Sequence, residues 1–172
     1  MSNYAVIRTD LMFGTDNRSG LVSVKYMGDG SAATAIENGN VVKLAGLMPT
    51  ATTGVVEREI FKGVTPSASD SIKDIVVLDG VEIDYDERKK DLRDFINEAG
   101  AVIRGYRLHS GSIFSVTAEA LDGQAAVGDI VELQAGTKLK VVSSNTSGST
   151  VVGEIIEVAK AGAYTFYAIK VA

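Results

Sequence analysis

The residues that could carry chemistry are few, and their spacing does not suit catalysis. The single histidine, His109, lies in the turn-like sequence Leu108-His109-Ser110, and no G-x-S-x-G elbow is present to expose a nucleophilic serine. The chain has no cysteine, which excludes disulfides, thiolate catalysis and cysteine-based zinc sites. We therefore expect His109 to be a surface turn residue, and we expect no enzymatic activity.

Two other patterns resemble ligand sites without completing them. A group of acidic residues could offer oxygen ligands to calcium, but its spacing is not that of an EF-hand loop. The group comprises Asp79, Glu82, Asp84, Asp86 and Glu87. Acidic residues at the start of a helix explain it more simply. Gly136-Thr137-Lys138 resembles the end of a P-loop, but the first glycine of that motif is missing. The sequence predicts neither a metal nor a cofactor.

The composition favours strands as the elements that position these residues. The chain has 172 residues, of which 45% are hydrophobic, with 18 glycines, two prolines and no tryptophan. Valine, isoleucine and threonine with frequent glycine turns predict a mainly β fold, a small β-barrel or β-sandwich of short antiparallel strands. The net charge of −5 argues against nucleic acid as a partner. No stretch is apolar enough for a membrane partner, and the N-terminus lacks a signal-peptide pattern, so we expect synthesis in the cytoplasm.

A turn followed by a short alternating strand occurs twice, at residues 38–46 and 127–136, and we call it the repeated phrase. The spacing from Gly46 to Gly63 equals that from Gly136 to Gly153. This similarity predicts two related hairpin units, 38–78 and 127–172. The alternative is that any two hairpins share a glycine turn and a valine-rich strand.

The N-terminal region, residues 1–24, predicts a strand at Tyr4 to Ile7 followed by an extended arm or loop. Glycine and polar turn residues fill positions 14–20, between two apolar flanks. We expect these flanks to pack on the body or on a neighbouring subunit, although an ordinary hairpin with a long loop is an equal alternative. The predicted partner-binding residues are Leu11, Met12, Phe13, Asn17, Arg18 and Leu21.

One α-helix is predicted, at about 84–99, as an insertion in a β-rich domain that spans 25–172. Asp84 or Asp86 can cap its start, and Gly100 occupies the position where a left-handed residue ends a helix. Its apolar stripe is narrow, which predicts a helix on the surface of a sheet, or alternatively a face that docks a partner. The stripe consists of Tyr85, Leu92, Phe95, Ile96 and Ala99.

From Ala101 onward the pattern predicts short strands at hairpin spacings, with an exposed polar loop over residues 143–150. Residues 126–133, 152–158 and 166–171 resemble the β-rich head decoration, or cement, proteins of tailed bacteriophages. The resemblance implies a non-enzymatic virion protein on the capsid exterior, which binds the major capsid protein and stabilises contacts between capsomers. It also implies a homo-oligomer, commonly a trimer.

Two other functions are compatible with the sequence. A tail or head-tail connector component would share the β-rich composition, and its strands would join into a ring. A carbohydrate-binding β-domain would need an aromatic groove. The candidate residues for that groove are Tyr106, Tyr164, Phe166 and Tyr167.

Overall fold

The computed structural model describes residues 3–8, 12, 20–29, 31–49, 56–83 and 91–172. The predicted mainly β fold is confirmed, because eleven strands make up most of the regular structure in these residues. The strands are β1 (Leu21–Tyr26), β2 (Val41–Pro49), β3 (Val56–Val64), β4 (Ile75–Leu78), β5 (Val102–Arg107), β6 (Ile113–Thr117), β7 (Leu121–Asp122), β8 (Ile130–Glu132), β9 (Leu139–Val142), β10 (Val151–Ala161) and β11 (Tyr164–Val171).

The first five strands form a closed barrel in the order β1-β3-β2-β4-β5. Strands β1 and β3 are parallel, and the other neighbours, including the closing pair β1 and β5, are antiparallel. Alternate residues of β1, β2, β4 and β5 face the interior, where Val24, Val42, Val76, Leu78 and Ile103 are buried together.

The remaining strands form a six-stranded sheet in the order β6-β11-β10-β8-β9-β7. The N-terminal segment, residues 3–8, runs along the outer edge of β6. Ile7 bridges Val116, and the main-chain N–H of Thr117 donates to the carbonyl of Val6. The predicted N-terminal strand is therefore an extended edge segment, and it covers backbone groups that β6 would otherwise expose.

A second apolar cluster joins the barrel to the six-stranded sheet. Val41, Ile75 and Val77 alternate with the inward-facing barrel residues, so their side chains point outward from the barrel. They pack in one buried cluster with residues of the sheet, including Phe114 and Ile169. The barrel and the sheet therefore share a core.

The repeated phrase contributes one strand to each sheet, β2 to the barrel and β8 to the six-stranded sheet. Its turn glycines, Gly39 and Gly128, both adopt positive φ, +78° and +91°, where a side chain would be strained. In the strand that follows this turn, Lys43 of the first copy and Glu132 of the second occupy the same position. The two copies therefore share a backbone conformation at the turn and differ in the charge they carry.

The predicted helix is wrong over residues 91–99, and residues 84–90 lie outside the described residues. A single 3-10 turn spans Leu92–Asp94, and its Asp91 side chain accepts from the N–H of Arg93 at 2.9 Å. Asn97 then pairs with Ile36 through two main-chain hydrogen bonds of 3.0 Å. These long-range bonds use backbone groups that a helix needs for itself. Gly100 does adopt positive φ, +88°, but it closes a turn.

Candidate partner-binding groove

An apolar groove of about 500 Å³ lies on the outer surface of the barrel beside β1 and β5. Four aliphatic residues in its wall are unusually exposed: Leu21 at 48%, Val81 at 61%, Ile83 at 64% and Val102 at 53%. Single exposed aliphatic residues are normal on a protein surface, whereas a contiguous set commonly marks a binding site. We call this surface the apolar groove.

The barrel register explains why two of these side chains point outward. Strands β1 and β5 pair with Val24 opposite Ile103, and both of these residues face the buried interior. Neighbouring residues in a strand point to opposite faces, so Val102 points outward beside Ile103. Leu21 lies three residues before Val24 and points outward for the same reason. Both side chains are therefore on the groove side of the barrel wall.

Two buried asparagines hold the loop that carries Val81 and Ile83. Asn38 accepts from the N–H of Gly80 at 2.7 Å and donates to the Gly80 carbonyl at 3.0 Å. Asn97 donates to the Asn38 side-chain oxygen at 2.8 Å. A Cβ at Gly80 would lie 1.9 Å from the side-chain oxygen of Asn97, so only glycine fits there. The loop is therefore fixed by buried hydrogen bonds.

The groove has an ion pair at its polar border. Asp79 is 5% exposed and accepts from the Nε of Arg104 at 2.9 Å, and Arg104 lines the groove. Burial raises the pKa of Asp79, although Arg104 counteracts part of that rise. Burial also raises the pKa of Glu82, which accepts a hydrogen bond from Asn38 at 3.4 Å. An apolar centre with a charged border is the usual anatomy of a protein-binding surface.

The predicted partner-binding residues are only partly described. Leu21 begins β1 and lines the apolar groove. Met12 is partly buried and packs against the core shared by the two sheets. Leu11, Phe13, Asn17 and Arg18 lie outside the described residues. The sequence thus identified one residue of the groove, and the structure adds Val81, Ile83 and Val102 to it.

The residues considered for catalysis or metal binding do not converge. His109 is exposed in a turn next to Ser110 and Gly111, as predicted. Asp79 and Glu82 are engaged with Arg104 and Asn38, while the other three acidic residues of that group lie outside the described residues. Within the described ranges, no three histidine or acidic side chains come close enough to hold a metal ion.

The four aromatic residues proposed for a carbohydrate groove do not line one groove, although the ring centres of Tyr164 and Phe166 lie 5.9 Å apart. Phe166 is 2% exposed, and the guanidinium of Arg8 lies 5.6 Å from its ring centre. Tyr106 belongs to the barrel strand β5. Tyr164 and Tyr167 line a smaller pocket of about 270 Å³, where the Tyr164 hydroxyl already donates to Asp91 at 2.7 Å.

Glu132 is a structurally important residue that sequence reasoning missed. Its side chain is 0% exposed, and it accepts from the N–H of Thr146 at 2.9 Å and from the Nζ of Lys140 at 3.2 Å. Burial by itself would raise the pKa of Glu132, but these hydrogen bonds lower it overall. The polar loop that contains Thr146 is exposed, as predicted, and a buried carboxylate anchors it.

No helix in the described part of the chain is both long and apolar enough to cross a membrane. Comparisons with protein-family models, with curated proteins and with solved structures find no match to this chain.

Proposed function

We propose that this chain is a non-enzymatic structural protein of a tailed-phage particle, which binds the outer surface of the assembled capsid and stabilises contacts between capsomers. The apolar groove is the observation that carries the proposal. Leu21, Val81, Ile83 and Val102 expose about half or more of their surface around one depression. Covering such a surface with a protein partner removes apolar area from water.

Two further properties support this kind of partner. The loop that carries Val81 is fixed by Asn38 and Asn97, so the groove is formed before the partner arrives and binding costs little ordering entropy. The net charge of −5 suits the exterior of a shell filled with nucleic acid. The resemblance of residues 126–133, 152–158 and 166–171 to head decoration proteins supports the capsid, with its major capsid protein, as the partner.

A sedimentation experiment tests the proposal. Purified protein is mixed with capsids that lack it, the capsids are pelleted through a cushion, and the bound copies per shell and the shell melting temperature are measured. We expect saturable binding at a copy number that fits a symmetry class, together with a higher shell melting temperature. Absence of binding would contradict the proposal and would direct the search to tails and connectors.

A matched pair of variants tests the role of the groove. Val81→Asp places a charge in its wall, whereas Val127→Asp alters a residue of similar exposure, 62%, that does not line the groove. We expect Val81→Asp to weaken shell binding at least tenfold and Val127→Asp to leave it unchanged. Equal binding by both variants would show that the shell contacts another surface.

A further inference from the structure

Strand β10 extends well beyond the strand that covers its outer edge. It has eleven residues, but β8 pairs with it only from Val151 to Glu154. The main chain of Ile155 still bonds to Gly128 and Asp129. Over Ile156 to Ala161, no other described segment of the chain pairs with the outer edge. The far half of β10 is therefore an open sheet edge.

The neighbouring strands determine which main-chain groups face this open edge. Ser115 and Thr117 of β6 bond to the N-terminal segment, so Val116 between them bonds to β11 at Tyr167. Main-chain groups alternate in direction along an antiparallel strand. Tyr167 therefore faces β6, and Val158, its partner on β10, turns its own N–H and C=O away from β11.

The same alternation turns the N–H and C=O of Lys160 outward, whereas Ala159 and Ala161 bond to β11. The open edge thus presents two donors and two acceptors at the two-residue repeat of a strand, roughly 6.8 Å. Ile156 and Val158, each 39% exposed, add apolar side chains beside them. Another extended backbone is the partner that satisfies this pattern.

We propose that an extended segment of the shell protein adds to the open edge of β10 as a further strand. This inference rests on the proposed function, since it names the part of the shell that binds, and it uses a surface other than the apolar groove. Main-chain hydrogen bonds from Val158 and Lys160 hold the segment, and Ile156 and Val158 contact its side chains.

A second copy of this chain fits the edge less well. Two copies related by a two-fold axis pair residues that lie on the same face of the sheet. Glu157 and Lys160 are three residues apart and lie on opposite faces, so a symmetric pair cannot place these opposite charges against each other.

Two variants of one residue test the inference in the shell-binding experiment. Lys160→Pro removes the outward N–H but no hydrogen bond to β11, and proline is tolerated on an edge strand. Lys160→Ala removes the same charge and keeps the N–H. We expect the alanine variant to bind shells as the wild type does, and the proline variant to bind at least tenfold more weakly.

Amide hydrogen exchange of the wild type supplies a second readout that does not depend on the folding of a variant. On shell binding, we expect the amides of residues 156–161 to exchange at least tenfold more slowly. Unchanged exchange there, or equal binding by both Lys160 variants, would overturn this inference while the proposed function stands. Loss of self-association in free Lys160→Pro would assign the edge to a second copy and overturn it too. Failure of the wild type to bind shells would overturn both proposals.

Discussion

The two copies of the repeated phrase place opposite charges at the same position. In the barrel, Lys43 pairs with Asp70 at 2.6 Å, and its side chain is 35% exposed. In the six-stranded sheet, Glu132 is fully buried and binds Lys140 and Thr146. Each charge connects the phrase to a later loop. The same turn and strand can therefore carry either charge, and the burial of the charged side chain decides how much stability depends on it.

Alanine substitution of two aligned glycines, Gly63 and Gly153, should give the largest difference in stability between the two copies. A Cβ at Gly153 would lie 2.2 Å from the main-chain oxygen of Lys170, whereas one at Gly63 would lie 2.7 Å from a side-chain methyl of Val24. A side chain can move, but a paired strand cannot. We expect Gly153→Ala to lower the free energy of unfolding by roughly 3 kcal/mol and Gly63→Ala by about 1–2 kcal/mol, measured by chemical denaturation.

Gly136→Ala is the control for these two variants, since only the Gln134 side chain, at 3.9 Å, lies near its added Cβ. We expect its free energy of unfolding to change by less than about 0.5 kcal/mol. Equal losses for all three alanine variants would contradict the steric explanation.

Removing the charge of Glu132 should have the next largest effect. Glu132→Gln weakens the bonds to Lys140 and Thr146, so we expect a loss of about 1–3 kcal/mol in the free energy of unfolding. Lys43→Gln breaks a partly exposed pair and should shift the denaturation midpoint less. Glu154→Gln, an exposed position on β10, is the control. A larger shift for Lys43→Gln than for Glu132→Gln would reverse the comparison.

The stability contributions of Glu132 and Lys43 should depend on pH in opposite directions. The pKa of Glu132 is lowered below its ordinary 4.5, so its contribution to stability is present above that value and is lost as the pH falls through the folded pKa. The hydrogen bond that Lys43 donates to Asp70 raises the pKa of Lys43 above 10.5, so that contribution is lost as the pH rises through the folded pKa. The difference in the free energy of unfolding between Glu132→Gln and the wild type should change with pH only at acid pH. The corresponding difference for Lys43→Gln should change only at alkaline pH. Parallel curves at all pH values would contradict this.

The smallest effect on stability is expected in the apolar groove. Val81 is mostly exposed, so Val81→Asp should change the free energy of unfolding by less than about 0.5 kcal/mol while it weakens shell binding. Thermal unfolding followed by circular dichroism would check this. A large loss of stability would mean that Val81 supports the barrel and would weaken its use as a test of the groove.

The strands were predictable because their signals are local. The sequence predicted short strands from Ala101 onward, and the structure has β9 among them, since an alternating run between two turns needs no distant information. The helix prediction failed over 91–99 because Asn97 pairs with Ile36, which is 61 residues away. A local pattern cannot report such a bond.

The groove and the buried glutamate were beyond sequence reasoning for a related reason. Leu21, Val81 and Val102 come from three separate segments, and only the closure of the barrel brings them together. Glu132 alternates with apolar residues in β8, a pattern typical of a solvent-facing position. Its burial depends on Thr146, fourteen residues later. The N-G-N sequence of the turn was the one available signal for Asn38, and it indicated a turn without showing the buried network.

The N-terminal segment along β6 affects how the chain is made. Val6 bonds to Thr117 across 111 residues, and β6 pairs with β11, which ends at Val171. On the ribosome, the strands of the barrel are complete once Arg107 has emerged, whereas the six-stranded sheet must wait until Val171 has emerged. Residues 3–8 therefore wait for a partner strand that is synthesised about a hundred residues later, and the nascent protein carries an uncovered apolar surface until then.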